Sequence, residues 1–361
     1  MIEATRWESG SEFHWLPMSS DSMEPTLPEK ALQYSCGRTA LTALLQFGMM
    51  TQGWRRLWSP TYNCPDVINT ILSTGIELVS YFDSPCDKVV LPISARKGDV
   101  IFVVNFFGLK AAGEYQKSLE LGIPVIEDHS HDPWSQWAIH SEADYVLVSL
   151  RKTLPIPDGG AIWSNIGSSM PVEPGPETMI PLSYVAKTEA MLLKSIYLTG
   201  GHSSKQDYLN LFDTAKMALN RETTQPNLQI DGISQLSKKL LKTFPWREWR
   251  ELRRTNYRYF LDKVDLSSDV CCLATDDPNA TPFSLVLMFA DPGQREKARQ
   301  RLIAKSIYPA IIWPLNMTDC PWSDEKAVNI SQRMLSIHCD GRYGQQDMDK
   351  IANAFSECIF G

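Results

Sequence analysis

The sequence contains no Cys-x-x-Cys pair: its eight cysteines are scattered, and only Cys271 and Cys272 are adjacent. This pattern predicts neither a zinc site nor a disulfide framework, and it is typical of free thiols in a reducing compartment. No segment reaches about 18 uninterrupted apolar residues, so we expect no transmembrane helix. Residues 1–15 lack the basic and then apolar order of a signal peptide. We therefore expect a cytoplasmic protein without a membrane partner.

Excess positive charge and internal repeats are also missing. The formal net charge of −7 gives no reason to expect nucleic acid as a partner. A hydrophobic content of 43% and a charged content of 21% are ordinary for a soluble globular protein. The length of 361 residues is large for one hydrophobic core, so we expect two lobes.

Apolar runs that suit buried strands alternate with helical patterns in the first half of the chain. The run DVIFVVNFFG, residues 99–108, is apolar almost throughout, as expected for a strand that is covered on both faces. Further strands are predicted at 123–133 and 144–150, and helices at 39–50, 65–75 and 111–122. This alternation predicts a mainly parallel sheet flanked by helices, which is the α/β class.

The second half begins with a loop at 165–181 and then shows mixed patterns. Helices are predicted at 183–198, 205–220, 233–264, 293–306 and 344–359, and strands at 283–291, 307–314 and 333–340. Pro245 should break or kink the charged helix in which it lies. We expect an N-terminal arm (1–30), a large α/β domain (31–240) and a small α+β domain (241–361).

Ligands of open α/β sheets bind at the carboxyl ends of the strands, and the first candidate there is the turn SCGRTAL, residues 35–41. A small turn at a helix start presents backbone N–H groups to an anion, and Ser35 or Thr39 could add a hydroxyl. An ordinary capped helix would show the same residues. In SPTYNCP, Tyr62 could stack on a planar ring, although tyrosines also pack in cores.

A polar cluster, VIEDHSHDP, ends a predicted strand at residues 125–133. Asp128 could pair with a pyridinium nitrogen and keep it protonated, which makes the ring an electron sink. His131 could donate a hydrogen bond to a phenolic oxygen. The alternatives are a turn-forming aspartate with a structural histidine, or a metal site with ligands from Asp128, His129, His131 and Asp132.

Lys152 follows the buried strand of DYVLVSLRKTLPIPDGG, where desolvation makes an ammonium group costly. Its amine could form a Schiff base with an aldehyde, and Ser149 could bind a phosphate. Arg151 could contact a phosphate or a carboxylate. Gly159 and Gly160 would allow the chain to turn back beside the ligand. A lysine that extends from a strand end into solvent is the simpler interpretation.

The candidates follow one another in an order that suits one phosphorylated aromatic cofactor. A turn for the phosphate comes first, then Tyr62 for stacking on the ring, then the Asp128 carboxylate and the Lys152 amine. Here the sequence resembles fold-type I pyridoxal-phosphate enzymes, and within them the DegT/DnrJ/EryC1/StrS family of sugar aminotransferases. The similar segments are CGRTAL, PTYNCPDVINTI, VIEDHSH, SLRKTLPIPDGG, KSIYPAIIWPL and MLSIHCDGRYGQQDMDKI.

The resemblance implies a fold-type I architecture, pyridoxal 5′-phosphate as cofactor, and a homodimer. It implies that Lys152 binds the cofactor as an internal aldimine and that Asp128 faces the pyridinium nitrogen. It places the other cofactor contacts at Gly37, Arg38, Thr39, Tyr62, His131 and Ser149. Trp313 falls at or beside the substrate-facing aromatic of the family.

Several positions depart from the family pattern. Arg38 replaces the usual threonine, and Ser149 lies closer to the lysine than in most sugar enzymes of the family. The Gly-Tyr-Asn-Tyr-Arg segment, which often reaches the phosphate of the partner subunit, has no clear counterpart, and residues 165–232 differ throughout. These departures affect the expected nucleotide-sugar substrate more than the cofactor.

We expect a pyridoxal-phosphate aminotransferase that uses an amino donor, such as glutamate, and a carbonyl acceptor, such as a keto sugar. Two alternatives stay open. The same cofactor could support elimination, dehydration or carbon–carbon bond formation, although the sugar dehydratases of the family replace the lysine with histidine. A catalytically silent regulatory protein could also use this fold.

Overall fold

The computed structural model describes residues 6–16, 27–91, 94–175, 180–225, 230–266, 268–275, 277 and 279–360. Its strands are β1 (Ser9–Gly10), β2 (Leu32–Tyr34), β3 (Arg56–Pro60), β4 (Glu77–Tyr81), β5 (Asp99–Val104), β6 (Val125–Asp128), β7 (Tyr145–Val148), β8 (Gly160–Trp163), β9 (Val270–Cys272), β10 (Leu285–Phe289), β11 (Ile307–Tyr308) and β12 (Met334–Ile337). Its α-helices are α1 (Gly37–Phe47), α2 (Pro65–Ser73), α3 (Gln116–Leu119), α4 (Gln136–Ile139), α5 (Leu182–Leu198), α6 (Lys205–Glu222), α7 (Gln235–Thr243), α8 (Trp246–Lys263), α9 (Pro292–Ala304), α10 (Glu325–Arg333) and α11 (Gln345–Phe360).

Seven strands form the central sheet in the order β2-β8-β7-β6-β5-β3-β4. The pairs from β4 to β7 are parallel, whereas β8 runs antiparallel to both of its neighbours. Every residue of β5, β6 and β7 is buried, as expected for strands that are covered on both faces. The predicted α/β class with a mainly parallel sheet is confirmed. Because β3, β5, β6 and β7 are parallel, their carboxyl ends lie at one edge of the sheet.

A second, three-stranded antiparallel sheet has the order β12-β10-β9. Its strands come from the last third of the chain, which agrees with the α+β character expected there. The N-terminal segment also reaches this part of the chain, because β1 pairs in parallel with β11. The core is shared between the two sheets, since Val286 and Met288 of β10 belong to the same buried cluster as Tyr62 and Phe106.

Two predicted elements are much shorter than expected. The helix expected at 111–122 is reduced to α3 and a short 3-10 turn at Ala112–Glu114, and glycines lie within and at the end of this segment. The strand expected at 307–314 ends after Tyr308, because Pro309 has no N–H to donate to a sheet. Beyond it, Ala310 makes only an isolated bridge to Ser336.

Pro245 separates α7 from α8, so the predicted break is confirmed. Phe244 has the extended backbone (ψ 127°) that a following proline favours. The helix α10 was not predicted. Within the described residues, no helix has both the length and the apolarity that crossing a membrane requires.

Candidate functional site

The ends of β6 and β7 and the start of α1 enclose a small cavity. Its wall contains most of the side chains that the sequence predicts for the cofactor and its surroundings: Gly37, Arg38, Asp128, Ser149, Arg151 and Lys152. The wall is completed by Cys36, Leu41, Cys64, Asp66, Val67, Ser130 and Leu147. Residues that lie far apart in the sequence thus meet at the carboxyl edge of the sheet, where α/β proteins bind ligands.

Helix α1 begins at this cavity because Cys36 caps it. The extended backbone of Cys36 (φ −159°) lets its Sγ accept the Thr39 N–H at 3.4 Å. Gly37 and Arg38 are the first two residues of α1, so their N–H groups have no earlier carbonyl of the helix to donate to. They stand at the positive end of the helix dipole, so the turn can bind an anion.

Two glycines allow α1 to start so close to the sheet. A Cβ on Gly160 would lie 2.2 Å from the Gly37 nitrogen and from the Cys36 carbonyl carbon. A Cβ on Gly37 would lie 3.0 Å from the Cβ of Ser149. Larger residues at either position would therefore push the helix start away from the strand ends.

Asp128 is the last residue of β6, and its buried carboxylate is held by the chain that follows. Its Oδ1 accepts the Ser130 N–H at 2.8 Å, and the Ser130 hydroxyl oxygen accepts the Ser149 N–H at 2.9 Å. Asp128 Oδ2 makes no hydrogen bond with the described residues. Because the Ser130 contacts fix the carboxylate, this second oxygen remains available to a ligand in the cavity.

Lys152 lies on a short 3-10 turn, Leu150–Lys152, directly after β7. The turn is tied to β8, since the Leu150 N–H donates to the Gly159 carbonyl at 3.0 Å. The Lys152 side chain is half-buried, and its amine forms no hydrogen bond or ion pair with the residues that the structure describes. An amine without a protein partner in the wall of a cavity is well placed to react with a ligand.

Tyr62, His131 and Trp313 lie in an aromatic cluster beside the cavity and not in its wall. The ring centroids of Tyr62 and Trp313 are 5.4 Å apart, and those of His131 and Trp313 are 5.7 Å apart. The Tyr62 hydroxyl donates to the Ile312 carbonyl. The structure therefore brings the predicted ring stacker, phenolic-oxygen partner and substrate-facing aromatic together, but it leaves them separated from the cavity.

His131 is neutral in this environment. Burial and the nearby charges of Lys152 and Arg253 hold the pKa of His131 well below its usual value. The Phe107 N–H donates to His131 Nδ1 at 3.0 Å, so Nδ1 is the acceptor in this hydrogen bond. A neutral imidazole that accepts at Nδ1 carries its proton on Nε2, and the Asn105 backbone is a further hydrogen-bond partner of the ring.

A larger cavity of about 500 Å³ adjoins the small one and shares Arg38, Asp66 and Arg151 with it. Its wall includes the predicted residues Ser35 and Thr39, the start of α5 and the second half of α6. The Arg151 Nε is buried and has no hydrogen-bond partner there. The volume of this cavity and its polar side chains suit a substrate that is larger than the cofactor alone.

The structure does not bring the four metal-ligand candidates to one point. Asp132 binds Arg250 through both carboxylate oxygens, at 3.0 and 2.9 Å. His129 contacts Glu127 at 3.1 Å and Asn105 at 3.3 Å. In the part of the chain that the structure describes, no group of three or more His, Cys, Asp or Glu side chains could hold a metal ion.

Sequence reasoning missed two contributors to the site. Ser130 could have been found, because an aspartate in a turn often accepts the N–H of the residue two positions later. Asn220 of α6 accepts a hydrogen bond from Arg38 at 2.8 Å. Nothing in the sequence links α6 to this turn, since the contact depends on how the helices pack.

Solved structures with the same fold cover most of the chain. The aminotransferase TlmJ from Streptoalloteichus hindustanus is 12% identical with a TM-score of 0.59, covering 92% of this chain and 86% of its own. PseC of Helicobacter pylori, an aminotransferase of pseudoaminic acid biosynthesis, is 11% identical with a TM-score of 0.60, covering 91% and 86%. A DegT DnrJ EryC1 StrS aminotransferase from Brucella abortus is 17% identical with a TM-score of 0.57, again covering 91% and 86%.

No protein-family model matches the sequence, and no curated protein resembles it significantly. The similarity to the solved structures is therefore one of fold. At that level the resemblance inferred from the sequence motifs is confirmed.

Proposed function

We propose that this protein is a pyridoxal-phosphate-dependent aminotransferase of the DegT/DnrJ/EryC1/StrS type. It would take the amino group from a donor such as glutamate and transfer it to a carbonyl acceptor, a keto sugar or nucleotide sugar. The observation that carries the proposal is the unpartnered Lys152 amine, which shares one cavity wall with Asp128, Ser149 and the start of α1. The aminotransferase fold of the solved neighbours supports it.

The polar groups around the cavity match the chemical groups of the cofactor. The N–H groups in the first turn of α1, the Ser149 hydroxyl and the Arg38 guanidinium are donors of the kind that bind a phosphate. The free oxygen of Asp128 is an acceptor for a pyridinium N–H. Lys152 offers an amine to an aldehyde. When bound, pyridoxal phosphate supplies an electron-withdrawing ring that stabilises negative charge on the α-carbon of an amino acid.

Each residue then has a definite task. Lys152 would hold the cofactor through its amine and would move a proton to and from the donor's α-carbon. Asp128 would favour a protonated ring nitrogen through its charge. Thr39 lies with Ser35 in the wall of the larger cavity and would support the phosphate from that side. Tyr62 and His131 are proposed to contact the ring face and the phenolic oxygen.

The larger cavity is proposed to receive the acceptor, with Arg151 as a contact in its wall. Trp313, which lies in the aromatic cluster beside the small cavity, is proposed as the second substrate-facing residue. We further propose that the protein is a cytoplasmic homodimer. Each chain would consist of an arm at 1–30 and domains at 31–240 and 241–361. The arm includes residues 1–5 and 17–26, which lie outside the described residues. Light scattering on the purified protein measures the assembly, and a monomer at all concentrations would contradict the dimer.

The first experiment is an absorption spectrum of the purified protein, followed by addition of L-glutamate and then other amino acids. We expect a visible band of lysine-bound cofactor that gives way to the near-ultraviolet band of pyridoxamine phosphate. Lys152→Ala is the control and should lack the visible band. A band that no donor converts would favour elimination or condensation chemistry. A protein that stays colourless with added cofactor would favour the silent regulatory protein.

A further inference from the structure

Arg38 occupies the second position of α1, and its side chain belongs to the walls of both cavities. It is buried, although arginine is among the residues least often buried without a partner. Its long side chain could adopt many conformations, so some contact must hold the guanidinium in place. The question is which group does so.

The guanidinium is held by Asn220 of α6. Arg38 Nη1 donates to Asn220 Oδ1 at 2.8 Å. The Asn220 amide is itself oriented, because its Nδ2 donates to Asp66 Oδ1 at 3.3 Å. Turning the amide over would place donor against donor and acceptor against acceptor, so the network selects one orientation.

A neutral partner leaves the charge of Arg38 largely uncompensated. The nearest carboxylate oxygen, Asp66 Oδ2, lies 4.0 Å from Nη1, and the Asp66 side chain is 38% exposed. Such a distant and solvated ion pair is weak. Asn220 therefore restrains the guanidinium while its positive charge stays available to an anion at the start of α1.

Helix α6 is itself well anchored. At its start, Ser204 and Asp207 form a reciprocal capping box. At its end, Glu222 accepts the Ser183 N–H of α5 at 3.1 Å, and α5 and α6 pack along their length. A side chain on a rigid helix positions a neighbour more precisely than one on a loop.

We propose that Asn220 is a positioning residue that holds the Arg38 guanidinium for a phosphate group bound at the start of α1. The phosphate half of the site is thereby completed by α6 of the same chain. This inference rests on the proposed function in so far as the phosphate belongs to pyridoxal phosphate.

The test compares the affinities of pyridoxal phosphate and of pyridoxal, which has no phosphate, in Asn220→Asp. A carboxylate at this position would pair with Arg38 and repel the phosphate. We expect affinity for pyridoxal phosphate to fall about tenfold or more, as for loss of a charged hydrogen bond, with the affinity for pyridoxal unchanged. Asn210→Asp is the matched control, because it adds the same charge to an exposed site on the same helix. It should change neither affinity.

Equal losses for both ligands would show that Asn220 only supports the fold and would overturn the inference. An unchanged affinity for pyridoxal phosphate would overturn it as well. Inorganic phosphate, followed by phosphorus NMR, separates this inference from the proposed function. If the wild-type chain binds phosphate but no cofactor, the proposed function fails; the inference then stands only if Asn220→Asp also weakens phosphate binding.

Discussion

Asp83 is a buried carboxylic acid whose ionisation opposes folding. It accepts a hydrogen bond from the Tyr115 hydroxyl at 2.9 Å, and Lys110 Nζ lies 3.8 Å from its other oxygen. Burial nevertheless outweighs these contacts and raises the pKa of Asp83 to about 7. In the unfolded chain the group ionises near pH 4. Stability from the neutral acid is therefore complete below about pH 4 and is lost as the pH rises through about 7.

Asp83→Asn removes this dependence, because the amide stays neutral and its oxygen can still accept from Tyr115. The free energy of unfolding of the variant, relative to that of the wild type, should rise by about 2.5 kcal/mol from pH 5 to pH 8. Urea unfolding of both proteins at the two pH values measures the difference. If the variant and the wild type differed in unfolding free energy by the same amount at pH 5 and at pH 8, Asp83 would already be ionised in the folded protein at pH 5.

Asp128 should matter for chemistry more than for binding. Asp128→Asn keeps the size of the side chain and its acceptor oxygen for Ser130, but it removes the charge that would keep a pyridinium nitrogen protonated. We expect the cofactor still to bind and the half-reaction with an amino donor to slow by about 100-fold or more. Stopped-flow absorbance measures this rate.

Glu127→Gln is the comparison for that experiment. Glu127 precedes Asp128 on β6 and therefore points to the opposite face, where it contacts His129 and Ser141. Its loss of charge should leave the half-reaction near the wild-type rate. If Glu127→Gln slowed the half-reaction as much as Asp128→Asn, the role proposed for Asp128 would be wrong.

At the scale of elements, the sequence predicts a helix or strand correctly where a single local property determines it. The apolar run of β5 and the break at Pro245 needed only burial and the missing proline N–H. The strand expected at 307–314 was predicted too long, because the missing N–H of Pro309 was not taken into account there. In the site, Lys152 and Asp128 can be predicted from the sequence because they are polar residues at the ends of apolar strands. Asn220 cannot, because only the packing of the helices brings it to Arg38.

The junction between α1 and β8 gives an element-scale prediction. Gly160→Ala would force a Cβ to within 2.2 Å of the backbone at Cys36 and Gly37, so the helix start or the strand must move. We expect a loss of about 3 kcal/mol or more in unfolding free energy, together with weaker cofactor binding. Gly113→Ala should change stability by less than about 0.5 kcal/mol, because its added Cβ meets no atom within 4 Å.

Thermal unfolding and cofactor titration of the two variants provide the test. If Gly160→Ala were as stable as the wild type and bound the cofactor as tightly, the close approach of α1 to β8 would be wrong.

At the scale of the whole molecule, the site lies where the two sheets share a core. Tyr62, Phe106 and Phe107 pack in one buried cluster with Val286 and Leu315 from the last third of the chain. The Phe283 N–H also donates to the Phe107 carbonyl at 2.7 Å. A ligand beside this cluster should therefore stabilise both parts of the chain together.

This continuity predicts a single unfolding transition that moves as a whole when the cofactor binds. Pyridoxal phosphate at about 100 times its Kd should add about 2.7 kcal/mol, because it binds the folded state only. In a chain of this size that corresponds to a rise in Tm of several degrees. Lys152→Ala should lose most of the rise. Differential scanning calorimetry measures both effects, and two transitions of which only one shifts with cofactor would show that the halves of the chain unfold independently.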